Sequence, residues 1–290
     1  MTTAFLDRPG PLAFAHRGGA AHAPENSWRA FQHAVDQGYE YLETDVQATA
    51  DGVLIAFHDR TLTRVTGVPG RIARLKYAEI ADARIDGTEP IPLMEDLLSA
   101  WPTARFNIDV KDAGAIEPLA AVLHRTNAWD RVCVVSFSYT RLRATRRALG
   151  RPVCMAASPF GNAVVRFGPR SQGASVGPHR PGGTAPAPPA DPARPRAAGA
   201  AAPARRMAAW LDRTWMRCTQ IPVSVATEPF LARAHALGLP VHVWTVNDRP
   251  TMERLLDMGV DGIMTDETQT LREVLQARGQ WRPGTVAPAL

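Results

Sequence analysis

Short apolar runs alternate with amphipathic segments along most of the chain. The runs Leu12–His16, Tyr41–Val46, Phe106–Lys111, Val132–Phe137, Val153–Ala157, Thr219–Val223, Val241–Val246 and Gly262–Thr265 have the length and composition of buried strands. Between them, Ser27–Asp36, Leu93–Ala100, Ile116–His124, Thr140–Leu149, Glu228–Leu237, Pro250–Met258 and Thr268–Ala277 carry apolar residues at helical spacing, and several stop at Gly150, Gly238 or Gly259. This alternation predicts a parallel sheet covered by helices. Val53–His58 breaks it. Only the polar turn Thr49-Ala50-Asp51-Gly52 separates that run from Tyr41–Val46, too little chain for a parallel crossover, so the run is predicted to return antiparallel as a hairpin. Eight parallel strands then remain, the number that closes a TIM (β/α)8 barrel. The expected organisation is a single barrel domain over residues 11–280, with a small insertion at 60–103 after the second-strand hairpin.

Composition supports a folded body: 45% of the 290 residues are hydrophobic and 21% charged. The pI of about 9.5 raises the question of a polyanionic partner. The charge answers it by its position. Residues 168–217 hold eight Arg, two acids and nine Pro, a net +6 out of a total of +5, so the remainder is at −1. Within it, Gly177–Ala204 has almost no large apolar residue and no period, and the Pro/Ala/Arg-rich stretch reads as a low-complexity, disordered insertion. Within its end, Trp210 and Trp215 suggest an amphipathic helix over Arg206–Met216. The stretch is either a genuine insertion or an out-of-frame reading of a GC-rich gene, and the second origin would damage the neighbouring barrel helix. No interleaved aromatics or recognition motif accompany the basic residues, so no nucleic-acid partner is expected. No run reaches the roughly 20 apolar residues of a membrane span, so no stable membrane insertion is expected. The N-terminal residues lack an apolar signal core, which points to a cytoplasmic protein. Cys133, Cys154 and Cys218 are too few and too scattered for a disulfide framework or a zinc site and read as small apolar residues. Oligomeric state is not legible.

The chemistry-bearing residues cluster at the carboxyl ends of the predicted strands, where a barrel places its site. His16-Arg17-Gly18-Gly19 ends the first: an imidazole that can shuttle protons, a guanidinium matched to phosphate oxygens, and glycines that free the backbone to turn inward. Glu43 and Asp45 lie two residues apart on one face of the second, and two such carboxylates repel unless a cation lies between them. The hairpin returns His58 and Asp59 to the same region. Asp59 either orients the imidazole or caps the next turn. Asp109 and Lys111 share a face of the next strand with Asn107, adding a third carboxylate and an ammonium. Alone, each of these also fits a bland role: a surface loop, a solvated strand end, an ion pair in the barrel.

Taken in order, the motifs Ala15-His16-Arg17-Gly18, Pro24-Glu25-Asn26-Ser27, Glu43-Thr44-Asp45-Val46, Thr49-Ala50-Asp51-Gly52 and His58-Asp59-Arg60-Thr61-Leu62 resemble the glycerophosphodiester phosphodiesterase family. So do Asn107-Ile108-Asp109-Val110-Lys111, Ser136-Phe137, Trp244-Thr245-Val246-Asn247 and Thr265-Asp266. The resemblance covers most of the chain outside the Pro-rich stretch. It implies a TIM barrel that hydrolyses glycerophosphodiesters to sn-glycerol 3-phosphate and an alcohol with a divalent cation, Mg²⁺ or Ca²⁺. It implies His16 and His58 as the acid–base pair, Glu43, Asp45 and Asp109 as metal ligands, Arg17 and Lys111 as phosphate-holding residues, and Trp244 in the substrate pocket. Asp109 departs from the Glu usual in the family, and Ser27 from the usual Thr. Glu25 is expected to be a supporting carboxylate rather than a ligand. Two alternatives stand: a phospholipase-like barrel enzyme, which would need an apolar rim that the sequence does not display, and a catalytically impaired phosphate-ester binder if the Pro-rich stretch is out of frame.

Overall fold

A computed structural model describes residues 3–167 and 209–286. Eight parallel strands close into a barrel: β1 (Leu12–Ala15), β2 (Tyr41–Ala48), β6 (Arg105–Val110), β7 (Val132–Val135), β8 (Cys154–Ala156), β9 (Met216–Pro222), β10 (Val241–Trp244) and β11 (Gly262–Thr265). Each pairs with the next, and β1 pairs with both β11 and β2. Two short antiparallel pairs add to this. β3 (Leu54–Ala56) returns along β2, and β4 (Arg84–Ile85) pairs with β5 (Glu89–Pro90).

Besides β6, strand β2 serves two partners along its other edge because it outruns the barrel. Tyr41 and Leu42 pair with β1, while Val46, Gln47 and Ala48 pair with β3. The Thr49 hydroxyl organises the hairpin, donating to Asp51 Oδ1 (2.6 Å) and accepting from the Val53 amide (2.9 Å), with Gly52 at φ +81°. The strand run expected over Val53–His58 is shorter, Leu54–Ala56, and it leaves His58 in an irregular segment.

Residues after the hairpin build a small satellite core. Ile55, Phe57, Leu62, Ile72, Ile80, Ala83, Ile85 and Ile91 pack together beside the barrel. Helices cover the barrel as amphipathic units. In Trp28–Asp36 the Ser27 side chain accepts from the Ala30 amide (3.1 Å), and Ala30, Phe31, Ala34 and Val35 form the buried face. Trp28 and Phe31 pack against Trp101, as expected of helix-packing residues.

Of the stretch 168–217, residues 168–208 lie outside the described residues. Residues 209–214 are helical, Trp215 turns at φ +58°, and Met216 and Arg217 begin β9. Trp210 and Trp215 pack against different parts of the barrel core. Among the described residues, no helix is long and apolar enough to cross a membrane.

The spacing of the cysteines conceals one contact, although they are free and buried among apolar residues as expected. Cys133, Cys154 and Cys218 are far apart in sequence but lie on consecutive strands β7, β8 and β9, and their sulfur atoms fall within 4.8 Å of one another. Parallel neighbours in a barrel are joined by long crossovers, so residues that share a layer are necessarily distant along the chain.

Candidate active site

The open end of the barrel holds a cavity of about 490 Å³. His16, Arg17, Glu43, Asp45, His58, Asp109, Lys111 and Trp244 all line it. The turn after β1 makes this possible. Arg17, Gly18 and Gly19 take φ of +51°, +84° and +94°, which redirects the chain over the barrel mouth. Gly18 has a second reason to be glycine: a Cβ there would sit 2.8 Å from Ala30 Cβ and 2.9 Å from backbone atoms of the covering helix.

Both imidazoles are tethered by a carboxylate. His16 Nδ1 lies 2.7 Å from Asp266 Oδ1, and Asp266 in turn accepts from Asn247 Nδ2 (2.8 Å). His58 Nδ1 lies 2.7 Å from Asp59 Oδ1. Asp59 therefore orients the ring. Arg64 reaches Asp59 from the satellite unit, its Nε donating to Oδ2 at 2.6 Å. That guanidinium is the largest cause pulling the Asp59 carboxyl down to about 2, with burial opposing. Burial also works against ionised Asp266, but donation from His16 and Asn247 outweighs it. An ionised carboxylate only accepts, so each Nδ1 carries the proton and each Nε2 is left to exchange one. His16 Nε2 is 3.9 Å from Glu43 Oε2. Burial disfavours the charged His16 ring, yet Glu43 and Asp266 raise it above its ordinary value.

Three carboxylates crowd the floor. Asp45 and Asp109 are register partners across β2 and β6, and Glu43 is two residues before Asp45 on the same face. All three are buried. Burial and the nearby Asp45 push Glu43 up to about 7. Asp109 is likewise raised by burial, with Lys111 opposing. Burial also opposes ionised Asp45, but Lys111 and Arg17 overcome it and hold this carboxyl low. Lys111 Nζ bridges Asp45 Oδ1 (2.8 Å) and Asp109 Oδ2 (2.7 Å), so in this arrangement it neutralises the carboxylates rather than standing free for a phosphate. Arg17 Nε lies 3.3 Å from Asp45 Oδ2, its Nη1 donates to Glu25 (3.1 Å), and its amide donates to Glu43 Oε2 (3.0 Å). Asp109 Oδ1 is buried and unpaired. Unpaired carboxylate oxygen and a Glu near 7 mark a shortage of positive charge. The all-oxygen donor set Glu43, Asp45 and Asp109 fits a hard divalent cation.

Several residues here escape sequence reasoning. Asn26 is buried at φ +54°, donating to Asp45 Oδ2 (3.2 Å) and accepting from the Thr44 hydroxyl (2.8 Å). Its motif marked it, but nothing in the motif said which side chain it would hold. Glu25 is paired by Arg17 and Arg64, the supporting role expected of it. Arg64 had no signal, because Glu25 is 39 residues away and the five-residue spacing to Asp59 matches no helix or strand period. Gln220 and Asn107 exchange two amide hydrogen bonds across the barrel (2.8 and 3.3 Å). The apolar rim not legible in the sequence is present: Phe137 and Phe167 line the cavity at 55% and 75% exposure, and Phe137 packs edge-on to Trp244.

Two carboxylate-tethered imidazoles, two basic side chains and three buried carboxylates thus meet at the open end of a (β/α)8 barrel. The sequence matches the glycerophosphoryl diester phosphodiesterase family over residues 16–156 and 190–270, and the chain belongs to that family. Its enzyme class is glycerophosphodiester phosphodiesterase. It is 39% identical over 286 residues to the probable glycerophosphodiester phosphodiesterase 2 of Mycobacterium tuberculosis, covering 97% of this chain and 96% of that one. A 110-residue segment is 37% identical to lysophospholipase D GDPD1 of Rattus norvegicus, covering 33% and 35% of the two chains. An Oleispira antarctica phosphodiesterase solved with the product sn-glycerol-3-phosphate shares the fold at TM-score 0.67 and 20% identity, over 92% of this chain and 97% of the other.

Proposed function

We propose that the protein hydrolyses glycerophosphodiesters to sn-glycerol 3-phosphate and an alcohol, with Mg²⁺ or Ca²⁺ held by Glu43, Asp45 and Asp109, and with His16 and His58 as the acid–base pair. The observation that carries the reading is the pair of Asp–His dyads lining one cavity with three buried carboxylates. When bound, the cation supplies charge neutralisation for the phosphate oxygens. Arg17 and Lys111 add donors for those oxygens. His16 Nε2 takes the proton of the attacking hydroxyl, which belongs to water, or to the neighbouring glycerol hydroxyl, in which case a cyclic phosphate forms first and water opens it to glycerol 3-phosphate in a second step. The new P–O bond forms as the bond to the alcohol breaks, and His58 Nε2 delivers its proton to the departing alkoxide. Asp266 and Asp59 keep each ring in the required tautomer.

Hydrolysis of glycerophosphocholine with Mg²⁺, Ca²⁺ or EDTA tests this. Release of glycerol 3-phosphate that stops in EDTA is expected. Activity indifferent to EDTA overturns the cation, and no release with any cation overturns the reading. A diester with a good leaving group separates the two imidazoles, because it needs no acid. His58→Ala is expected to retain activity on it while His16→Ala does not.

A second reading concerns the alcohol. The exposed Phe137 and Phe167 wall favours a diester with an apolar tail, such as a lysophospholipid. Under it, lysophosphatidylcholine is the better substrate, and Phe137→Ser raises KM for it without changing KM for glycerophosphocholine.

A further inference from the structure

The closed end of the barrel holds a second cluster with different chemistry. Cys133, Cys154 and Cys218 are buried, free of disulfides, and contributed by the adjacent strands β7, β8 and β9. Their sulfurs lie within 4.8 Å of one another, with Cys133 and Cys218 at 4.0 Å. An irregularity in pairing between Met155 and Ala156 sets the register at which β9 brings Cys218 to the other two. The cysteines pack with Phe14, Tyr41 and Phe5, and the turn Ala4–Leu6 places Phe5 against both rings (6.5 and 5.3 Å).

A second, independent observation lies beside them. His242 on β10 is completely buried, and neither ring nitrogen has a hydrogen-bond partner. Its ring packs 4.9 Å from Phe14, inside the same cluster, and lies within electrostatic reach of Cys154. Buried polar groups are normally paired, because leaving one unpaired costs about 1–3 kcal/mol. A histidine kept here without a partner is poor core material and good ligand material.

We propose that Cys133, Cys154 and Cys218 bind one thiophilic cation of the Zn²⁺ or Cu⁺ class, at a site separate from the carboxylate floor, with His242, which stands outside the 4.8 Å sulfur group, turning in as the nitrogen donor. Three sulfurs and an imidazole are one of the donor sets of structural zinc sites, with metal–sulfur distances of about 2.3 Å. Sulfurs around such an ion stand roughly 3.8 Å apart. Cys133 and Cys218 are already near that spacing, and the trio closes on it by side-chain rotation. Each thiol that ligates gives its proton to solvent, so uptake of the ion acidifies an unbuffered solution. None of these residues lines the open-end cavity. The two ends therefore differ in preference: hard oxygen donors where the reaction occurs, soft sulfur donors where three strands are tied together.

The test uses the full chain, refolded or exchanged with Cd²⁺ as the probe. Cd²⁺–thiolate charge transfer absorbs in the near ultraviolet, and Cd²⁺ on carboxylates does not, so an ion in the open-end site is silent. The expected result is a band that saturates at one ion per chain and is lost in both Cys133→Ala and Cys218→Ala, with the far-ultraviolet circular dichroism unchanged. His242→Phe keeps the band but weakens affinity at least tenfold. Absence of a saturable band in the folded wild-type chain overturns the proposal whether or not the variants fold. A band that survives in either cysteine variant at wild-type amplitude overturns it as well.

Discussion

Arg64 is the most informative single position, because it stands outside the catalytic groups yet reaches two of their supports. Its guanidinium donates to Glu25 Oε2 and Oε1 (2.9 and 2.6 Å) and to Asp59 Oδ2 and Oδ1 (2.6 and 3.1 Å). Arg64→Met keeps the aliphatic stem and removes all four bonds. Asp59 then rises from about 2 towards the ordinary carboxylate value of about 3.9, which leaves it ionised at neutral pH. The charge beside His58 survives, and what is lost is the fixed orientation of Asp59 and hence of the ring. Losing a partner of this kind costs about 10–100-fold. On kcat that is roughly 1.4–2.7 kcal/mol of barrier. Stability should hardly move, since the Arg64 side chain is 48% exposed and solvent screening limits its ion pairs to about 1 kcal/mol or less. Steady-state kinetics on glycerophosphocholine and urea unfolding measure the two effects separately. Arg64→Lys, with one point charge in place of a fork, should recover only part of the rate. A kcat for Arg64→Met within twofold of wild type, or a loss carried entirely by KM, would refute this coupling.

Asp266→Asn removes the acceptor that holds His16 Nδ1–H, and kcat should fall at least about 100-fold with little change in KM; an unchanged kcat would remove Asp266 from the machinery. Gly18→Ala places a Cβ against Ala30 at a left-handed φ, so a loss of more than about 2 kcal/mol is expected in chemical denaturation, and a neutral result would mean the turn relaxes freely. His235 is raised above its ordinary value by its bond to Asp261 (2.7 Å). Its contribution is present below the unfolded value of about 6.5 and disappears as pH rises through the folded one. The ring is 41% exposed, so the effect is at most about 1 kcal/mol, read as a His235→Ala urea-midpoint deficit at about pH 5.5 that vanishes near pH 9. A deficit constant across that range would mean the pair does not titrate with folding.

Much of this protein is legible along the chain because the physics is local. Strand and helix periods, the four-residue turn Thr49–Gly52 that forces a hairpin, and the Ser27 cap all act over a few residues. From them follow the strand count, the closed barrel, and the placement of His16, Glu43, Asp45, Asp109 and Lys111 at strand ends. Tertiary structure alone decided the pairings between strands. It set Lys111 between Asp45 and Asp109, and joined Arg64 to Glu25 and Asp59. It put Phe137 and Phe167 on one cavity and brought three scattered cysteines together in the barrel. Apart from the short-range pairs Asp59–Arg64 and Asp109–Lys111, the reason is shared. A parallel barrel separates neighbouring strands by whole crossovers, so the contacts that set charge, orientation and ligand geometry join residues whose spacing carries no period to read.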